Sequence, residues 1–295
     1  AESGDFTLSA DSPALAMGFQ PIDLSDVGLY GDPEWVNKPK EIARPAFVPP
    51  LPKKPELLGV TKIWDEGGHN AFTDIIRHDG YFYVTFREAE NHVGSDGAIR
   101  VIRSKDGAAW ESCGFLTENS IDLRDPKISV MPDKRLMLIM GGSDYEEKEL
   151  VARQPRVAFS TNGTEWSAPQ TVCSPGDWLW RVTWHKGVAW GVSNHYIIGE
   201  DDPRSLMLYT STDGVNFKIR TTLDITGNRF EVTARFLPDD TMMLLARREE
   251  SDQGAYIGTS LPPYTDWAWS NTDRRAGGPD FIRLPDGTMW AGYRN

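Results

Sequence analysis

The chain has 295 residues, of which 39% are hydrophobic and 25% are charged, which is enough for a large core and one or two domains. Its net charge of −12 argues against a nucleic-acid partner, because phosphate binding requires clustered lysine and arginine. No apolar run approaches the length of a membrane span, and Cys113 and Cys173, which lack metal-ligand spacing, are predicted to be free thiols.

Residues 1–31 are rich in turn formers and hold too few apolar side chains for a core of their own. They contain the run Phe6-Thr7-Leu8, then Ser12-Pro13-Ala14, then a glycine. This F-x-L…SPA…G pattern resembles the closing segment of right-handed parallel β-helix domains, where it caps the last coil. The resemblance implies a β-helix-like terminal segment and a β-helix domain preceding Ala1. A strap that runs along the next domain is the alternative.

Residues 32–59 have the composition of a linker. Seven prolines lie between Pro33 and Pro55, with lysines among them. Proline removes backbone donors and favours extended polyproline geometry, so we expect a stiff spacer here.

From about residue 60 to residue 295 the chain contains five predicted hairpins, each made of two apolar-rich runs around a tight turn. The turns are 54, 53, 53 and 47 residues apart and are anchored at Asp79, Asp133, Lys186, Asp239 and Asp286. A period of this size predicts a repeat architecture, for which four-stranded propeller blades are the natural unit.

A second signature recurs in phase with the hairpins, 56 and 51 residues apart, at Ser104–Trp110, Ser160–Trp166 and Ser211–Phe217. Serine and aspartate side chains can bond local backbone amides there, and glycine allows positive φ. We expect each copy to be a turn that staples the outer strands of a blade.

These S-x-D-G-x-x-W turns resemble the Asp-box, or BNR repeat, of the sialidase (neuraminidase) family. The resemblance implies an all-β, sialidase-like β-propeller of the six-bladed type in which the boxes stabilise blades away from the active site. Counting from Thr61 gives four complete blades and a fifth that stops at Asn295, so we expect a chain truncated at its C-terminus. A five-bladed ring is the alternative.

In a propeller the innermost strands line a central channel, and matched positions converge at one end. Acids, histidines and arginines occupy those positions here: His69, Asp74, Arg87, Asp125, Arg181, Glu231, Arg247, Asp280 and Arg294. Carboxylates together with several arginines indicate an anionic substrate, because a guanidinium grips a carboxylate in two places. The same residues could instead form ion pairs that hold the blades in register.

The sialidase resemblance implies roles for two of these residues. Glu231 and Arg247 match the family's fourth-blade glutamate, which polarises a tyrosine nucleophile, and one of its three carboxylate-binding arginines. Arg87 and Arg181 would join Arg247 in binding the substrate carboxylate.

Other positions depart from the family pattern. The first-blade arginine is replaced by His69-Asn70-Ala71. The loop that should carry the acid/base aspartate offers Asp96, with His92 as a replacement. The third arginine and the tyrosine would lie beyond Asn295, and Tyr293 comes too early to serve as that nucleophile.

We therefore expect an exo-glycosidase of sialidase type that hydrolyses a terminal acidic sugar from a glycan, needs no cofactor or metal, and acts in an extracellular or periplasmic location. A non-catalytic carbohydrate-binding propeller, with Trp178, Trp180 and Trp184 as stacking groups, is one alternative. A five-bladed-type glycosidase is another, with Asp74 paired to Asp125 or Glu231. A lyase also stays open.

Overall fold

The computed structural model describes residues 12–19, 31–41, 56–199, 204–225, 227–249 and 254–294. The chain divides into two compact units, residues 1–55 and 56–295. The β-helix-like segment expected for residues 1–31 falls mostly outside the described residues. Within residues 12–19, which are described, the chain forms the short helix α1 (Pro13–Ala16).

The expected extended spacer is wrong for part of the linker, because Pro33–Glu41 form the helix α2. Pro33 occupies the first turn, where no backbone donor is needed, and the side chain of Asp32 accepts a 2.9 Å hydrogen bond from the Glu34 amide. The helix-initiating residues Asp32 and Pro33 therefore favour a helix here, despite the high proline content of the segment. Residues 42–55 lie outside the described ranges.

The second unit consists of antiparallel sheets whose strands follow one another in chain order. The first sheet contains β1 (His69–His78), β2 (Tyr81–Ala89), β3 (Ala98–Ser104) and β4 (Glu111–Leu116). The second contains β5 (Asp122–Val130), β6 (Leu136–Glu146), β7 (Glu149–Ser160) and β8 (Gln170–Thr171). The third contains β9 (Leu179–His185), β10 (Val188–His195), β11 (Ser205–Ser211) and β12 (Lys218–Thr222). The fourth contains β13 (Asn228–Phe236), β14 (Met242–Glu249), β15 (Tyr256–Ser260) and β16 (Ala268–Asn271). A final hairpin pairs β17 (Gly277–Arg283) with β18 (Met289–Arg294).

This arrangement confirms the all-β propeller. Each of the five predicted hairpins is the first strand pair of a sheet. The described residues form four complete four-stranded blades and one two-stranded hairpin. These sheets do not show whether the ring has six blades, as expected, or five.

A separate apolar cluster lies between each two neighbouring sheets. Successive strand residues point to opposite faces, so Leu138 joins the cluster of the first two sheets while Ile139 joins that of the second and third. Leu244 and Leu245 divide in the same way between the next two clusters. The second strand of each blade is thus buried on both faces, which explains apolar runs without polar alternation.

The outer turns have the predicted hydrogen bonds. In the first turn, Ser104 Oγ accepts a 2.9 Å bond from the Gly107 amide, and the Asp106 carboxylate accepts bonds of 2.8 and 3.0 Å from the amides of Ala108 and Ala109. Gly107 has a φ of +78°, which an L side chain rarely adopts. These contacts are local to the turn, which makes Asp106 a structural residue.

Both cysteines are free thiols, as predicted. Burial raises the pKa of Cys113 to about 11, so this thiol is protonated at neutral pH. No helix within the described ranges is long and apolar enough to cross a membrane.

Candidate active site

The first strand of four sheets contains a bulge in its first half. The register shifts lie between Ala71 and Asp74, between Arg124 and Lys127, between Asn228 and Glu231, and between Gly277 and Asp280. A bulge inserts an unpaired residue and redirects the side chains beside it. Each shift is followed at once by an ionisable residue, so the bulges turn charged groups toward a common centre.

Backbone conformation marks three of these bulges. Phe72, Asp125 and Gly278 have φ values of +64°, +49° and +59°. A left-handed conformation is unusual for an aromatic residue and is tolerated better by aspartate and glycine. Strain held in this way is typical of functional sites.

The bulges line a cavity of about 980 Å³. Nine of the eleven residues predicted for the site lie in its wall, namely His69, Asp74, His92, Asp125, Arg181, Glu231, Arg247, Asp280 and Arg294. Acids and arginines from several sheets therefore share the wall of one cavity. Their individual roles stay predictions.

Arg87 and Asp96 lie outside this cavity. Arg87 is fully buried, and its Nε donates a 2.7 Å hydrogen bond to Asp122 Oδ1 in the second sheet. Its Nη1 and Nη2 donate to the carbonyls of Asn91 and Ser95, at 2.8 and 3.2 Å. Arg87 is thus placed to anchor the loop that carries His92, while Asp96 is exposed on that loop.

Arg181 connects three parts of the propeller. Its guanidinium donates two 2.9 Å hydrogen bonds to Asp74 of the first sheet and lies 3.3 Å from Asp280 of the last hairpin. Asp280 also accepts a 2.6 Å bond from Arg235. Burial opposes the charged form of Arg181, yet the two carboxylates raise its pKa overall. Arg181 therefore forms ion pairs between blades, which is the alternative that the sequence left open for these charged residues.

Glu231 is held from two sides. Its Oε1 accepts a 2.6 Å bond from Arg247, and its Oε2 accepts a 2.6 Å bond from the Gly278 amide. Arg247 also contacts Glu249. Burial opposes the charge on Arg247, but the two glutamates raise its pKa. The Glu231 carboxylate is therefore fixed in orientation at the cavity wall.

Asp125 has a different environment. Its carboxylate forms no hydrogen bond or ion pair with the described residues, and burial raises its pKa despite the nearby charges of Lys127 and Arg124. A half-buried carboxyl with a raised pKa in a cleft is a candidate general acid.

Lys127 lies two residues after Asp125, at the end of the bulge, and was not among the residues predicted from the sequence. It is 5% exposed, and its Nζ donates to the carbonyls of Pro126 and Asp125 at 3.2 and 3.4 Å and lies 4.4 Å from the ring centre of Trp180. Burial lowers its pKa. The available signal was a lysine directly after Asp125-Pro126, but only acids, histidines and arginines were candidates for the site.

Aromatic rings form one side of the cavity. The His92 ring lies 5.2 Å from that of His69 and 5.6 Å from that of Phe72. Burial and the positive charge of Arg124 lower the pKa of His92. Arg124, also missed, lies 5.2 Å from the Phe72 ring centre.

Of the three tryptophans proposed as stacking groups, Trp180 lines the cavity. Trp178 packs over Gly141, where an added Cβ would lie 2.1 Å from its ring, and Trp184 packs on the core between the second and third sheets. These two contacts are structural.

Among the described residues, no group of three or more histidine, cysteine, aspartate or glutamate side chains could hold a metal ion. No family model and no curated protein matches the chain.

Solved structures do match the fold. A protein of unknown function from Dyadobacter fermentans aligns with a TM-score of 0.67 at 18% identity, over 76% of this chain and 75% of that chain. A mutant α-L-arabinofuranosidase from Fusarium graminearum, in complex with an iminosugar inhibitor, aligns with a TM-score of 0.62 at 16% identity, over 76% and 74%. A Trypanosoma rangeli sialidase mutant displaying trans-sialidase activity aligns with a TM-score of 0.54 at 14% identity, over 68% and 37%. At these identities the likeness establishes the propeller fold, which several glycoside hydrolases share with this chain.

Proposed function

We propose that this protein is a propeller glycoside hydrolase that releases a terminal acidic sugar from a glycan. The observation that carries the proposal is the presence, in the wall of one cavity, of Asp125, whose pKa is raised by burial, and of Glu231, whose carboxylate is anchored by Arg247 and the Gly278 amide. Glycoside cleavage requires one carboxyl group as acid and a second group as base, and the different environments of these two side chains suit the two roles.

In the proposed reaction Asp125 is the general acid. It gives its proton to the glycosidic oxygen as the bond from that oxygen to the anomeric carbon breaks. Glu231 accepts a proton from the water molecule whose oxygen bonds to the anomeric carbon, so the released sugar keeps the water oxygen as its hydroxyl and the leaving group keeps the proton from Asp125. Asp125 takes the role that the sequence assigned to Asp96, because Asp96 does not face the cavity.

The charges of the cavity support an acidic sugar as substrate. Five cationic side chains line it, namely Arg124, Lys127, Arg181, Arg247 and Arg294, against four carboxylates. The cavity is thus not acidic although the whole chain has a net charge of −12.

Glycans with terminal acidic sugars are found mainly outside the cytoplasm, so we propose an extracellular or periplasmic location.

The test is an assay with fluorogenic glycosides of N-acetylneuraminic acid, glucuronic acid and arabinofuranose. We expect release from an acidic glycoside, and a loss of about 10²–10⁴-fold in kcat/KM for Asp125→Asn and for Glu231→Gln. Glu111→Gln, an exposed carboxylate on β4, is the control and should retain full activity. The absence of release from either acidic glycoside, or full activity in the Glu231→Gln variant, would contradict the proposal.

A neutral sugar is the second candidate substrate. Arg181 and Arg247 already hold carboxylates of the protein, and the matched Fusarium enzyme is an arabinofuranosidase. Release of arabinofuranose alone, with the same dependence on Asp125 and Glu231, would favour this candidate. Binding of a sugar without release of any would favour a binding module instead.

A further inference from the structure

Two arginines of the cavity, Arg181 and Arg247, have their charges compensated within the protein. Arg181 is bonded to Asp74 and lies beside Asp280, and Arg247 is bonded to Glu231 and Glu249. A substrate carboxylate that bound to either arginine would have to displace a protein carboxylate. A cation without a carboxylate partner, Lys127 or Arg294, is therefore the better anchor for an acidic sugar in this cavity.

Lys127 has the environment that Arg181 and Arg247 lack. Among the described residues, no carboxylate lies within ion-pair distance of its ammonium group, whose contacts are two backbone carbonyls and the face of Trp180. An ammonium has three donors, and both carbonyl contacts are long at 3.2 and 3.4 Å. A buried cation without a direct ion-pair partner gains from an anionic ligand.

The position of Lys127 in the fold directs it to a ligand. It follows the bulge of β5, where the other bulged first strands place Asp74, Glu231 and Asp280. It lines the cavity next to Asp125 while being 5% exposed. The Trp180 ring on one side limits the directions in which the ammonium can move.

We propose that Lys127 binds the carboxylate of the acidic sugar and so selects it over a neutral sugar. The inference rests on the proposed function, because it assigns the carboxylate subsite of the same cavity. In this arrangement the substrate anion lies next to the general acid, Asp125. Arg294 also lines the cavity and has no carboxylate partner among the described residues. It lies beside Gly278, whose amide binds Glu231, and its Nη2 is 3.8 Å from where a Cβ of Gly278 would lie.

The test is calorimetric binding of free N-acetylneuraminate, of glucuronate and of the methyl ester of each sugar to the 295-residue chain. We expect the wild type to prefer the acid over its ester. Lys127→Met should reduce affinity for the acid by at least about tenfold and leave affinity for the ester unchanged. Lys105→Met is the matched control, because Lys105 is exposed in an outer turn, and it should bind like the wild type.

Lys127→Gln and Lys127→Arg guard against misfolding. Glutamine keeps a donor for the two carbonyls without the charge and should bind weakly, whereas arginine keeps the charge and should retain part of the affinity. Folding of each variant is verified by its melting temperature. Wild-type affinity for the acid in Lys127→Gln, or equal wild-type affinity for acid and ester, would overturn the inference.

Failure of the inference and failure of the proposed function give different results. If the acid binds in a Lys127-dependent manner but no glycoside is cleaved, the subsite stands and the hydrolase does not. If acidic glycosides are cleaved with the same KM by wild type and Lys127→Gln, the hydrolase stands and the subsite is wrong.

Discussion

Asp125 combines two features that each oppose folding. Burial raises the pKa of its carboxyl, and its backbone has a left-handed φ of +49°. An acid kept in such an environment is more useful for proton donation than for stability, as is common at active sites. Replacing Asp125 should therefore change the stability of the folded protein as well as its activity.

We expect Asp125→Asn to raise the melting temperature at pH 7 while it lowers kcat/KM by about 10²–10⁴-fold. The raised pKa means that the folded state loses stability as pH rises from the unfolded pKa, about 4, through the folded pKa. Asparagine is always neutral and tolerates the left-handed conformation, so it removes this loss. A rise of roughly 2–4 °C would correspond to about 1 kcal/mol. Thermal melts at pH 7 and pH 3.5 measure it, and the gain should disappear at pH 3.5. A variant less stable than wild type at pH 7 would contradict this.

At the scale of the element, the tight turns could be predicted from sequence, and the bulges could not. The turns depend on local chemistry, such as Ser211, Asp213 and Gly214 within four residues. A bulge depends on pairing with a second strand, and one extra residue such as Phe72 leaves no mark in a run of apolar side chains. The acids at the cavity were therefore found by counting from the turns, but Lys127 was not.

The same counting misplaced Arg87. Arg87 and Arg247 both lie eight residues after their turn anchors. Arg247 has Glu231 directly across the strand pair, whereas Arg87 has Ala71. Without an acid opposite, the guanidinium of Arg87 turns to Asp122 of the next sheet. The difference depends on cross-strand partners, which a single sequence does not show.

The third outer turn yields a test of an element. Asn216 and the amides of Asn216 and Val215 hydrogen-bond the Asp213 carboxylate and lower its pKa. We expect Asp213→Ala to cost about 1 kcal/mol, as for a lost capping residue, and to leave activity unchanged. Asp213→Asn should be milder, since Asn162 makes the equivalent bonds in the second blade. Chemical denaturation at pH 7 measures both. Equal losses for alanine and asparagine would contradict the role of the side-chain oxygen.

At the scale of the whole molecule, the propeller was predictable because it repeats. Five hairpins in phase with three turns specify blades, even though each signal is weak by itself. The number of blades in the ring is not a local property, and four complete sheets with one hairpin do not establish it. The ion pairs across the centre are similarly non-local, because Asp74 and Arg181 are 107 residues apart in sequence.

Arg181 is the residue through which the centre of the propeller is tested. It joins Asp74 of the first sheet to Asp280 of the last hairpin, and the side chains of Arg181 and Asp74 are 7% and 5% exposed. Removing one member of a buried pair leaves the other charge uncompensated, which costs about 3–5 kcal/mol. We therefore expect Arg181→Met to lower the free energy of unfolding by that amount. The double variant Asp74→Asn/Arg181→Met should recover part of the loss, because it removes both charges. Denaturant unfolding of the two single variants and the double variant measures the coupling.

The pair Arg103 and Glu111 is the control for this prediction. Its side chains are 21% and 62% exposed, so Glu111→Gln should change the free energy of unfolding by less than about 1 kcal/mol. If the losses from Asp74→Asn and Arg181→Met are simply additive, the two side chains do not act as a pair, and the blades are held at the centre by their apolar clusters alone.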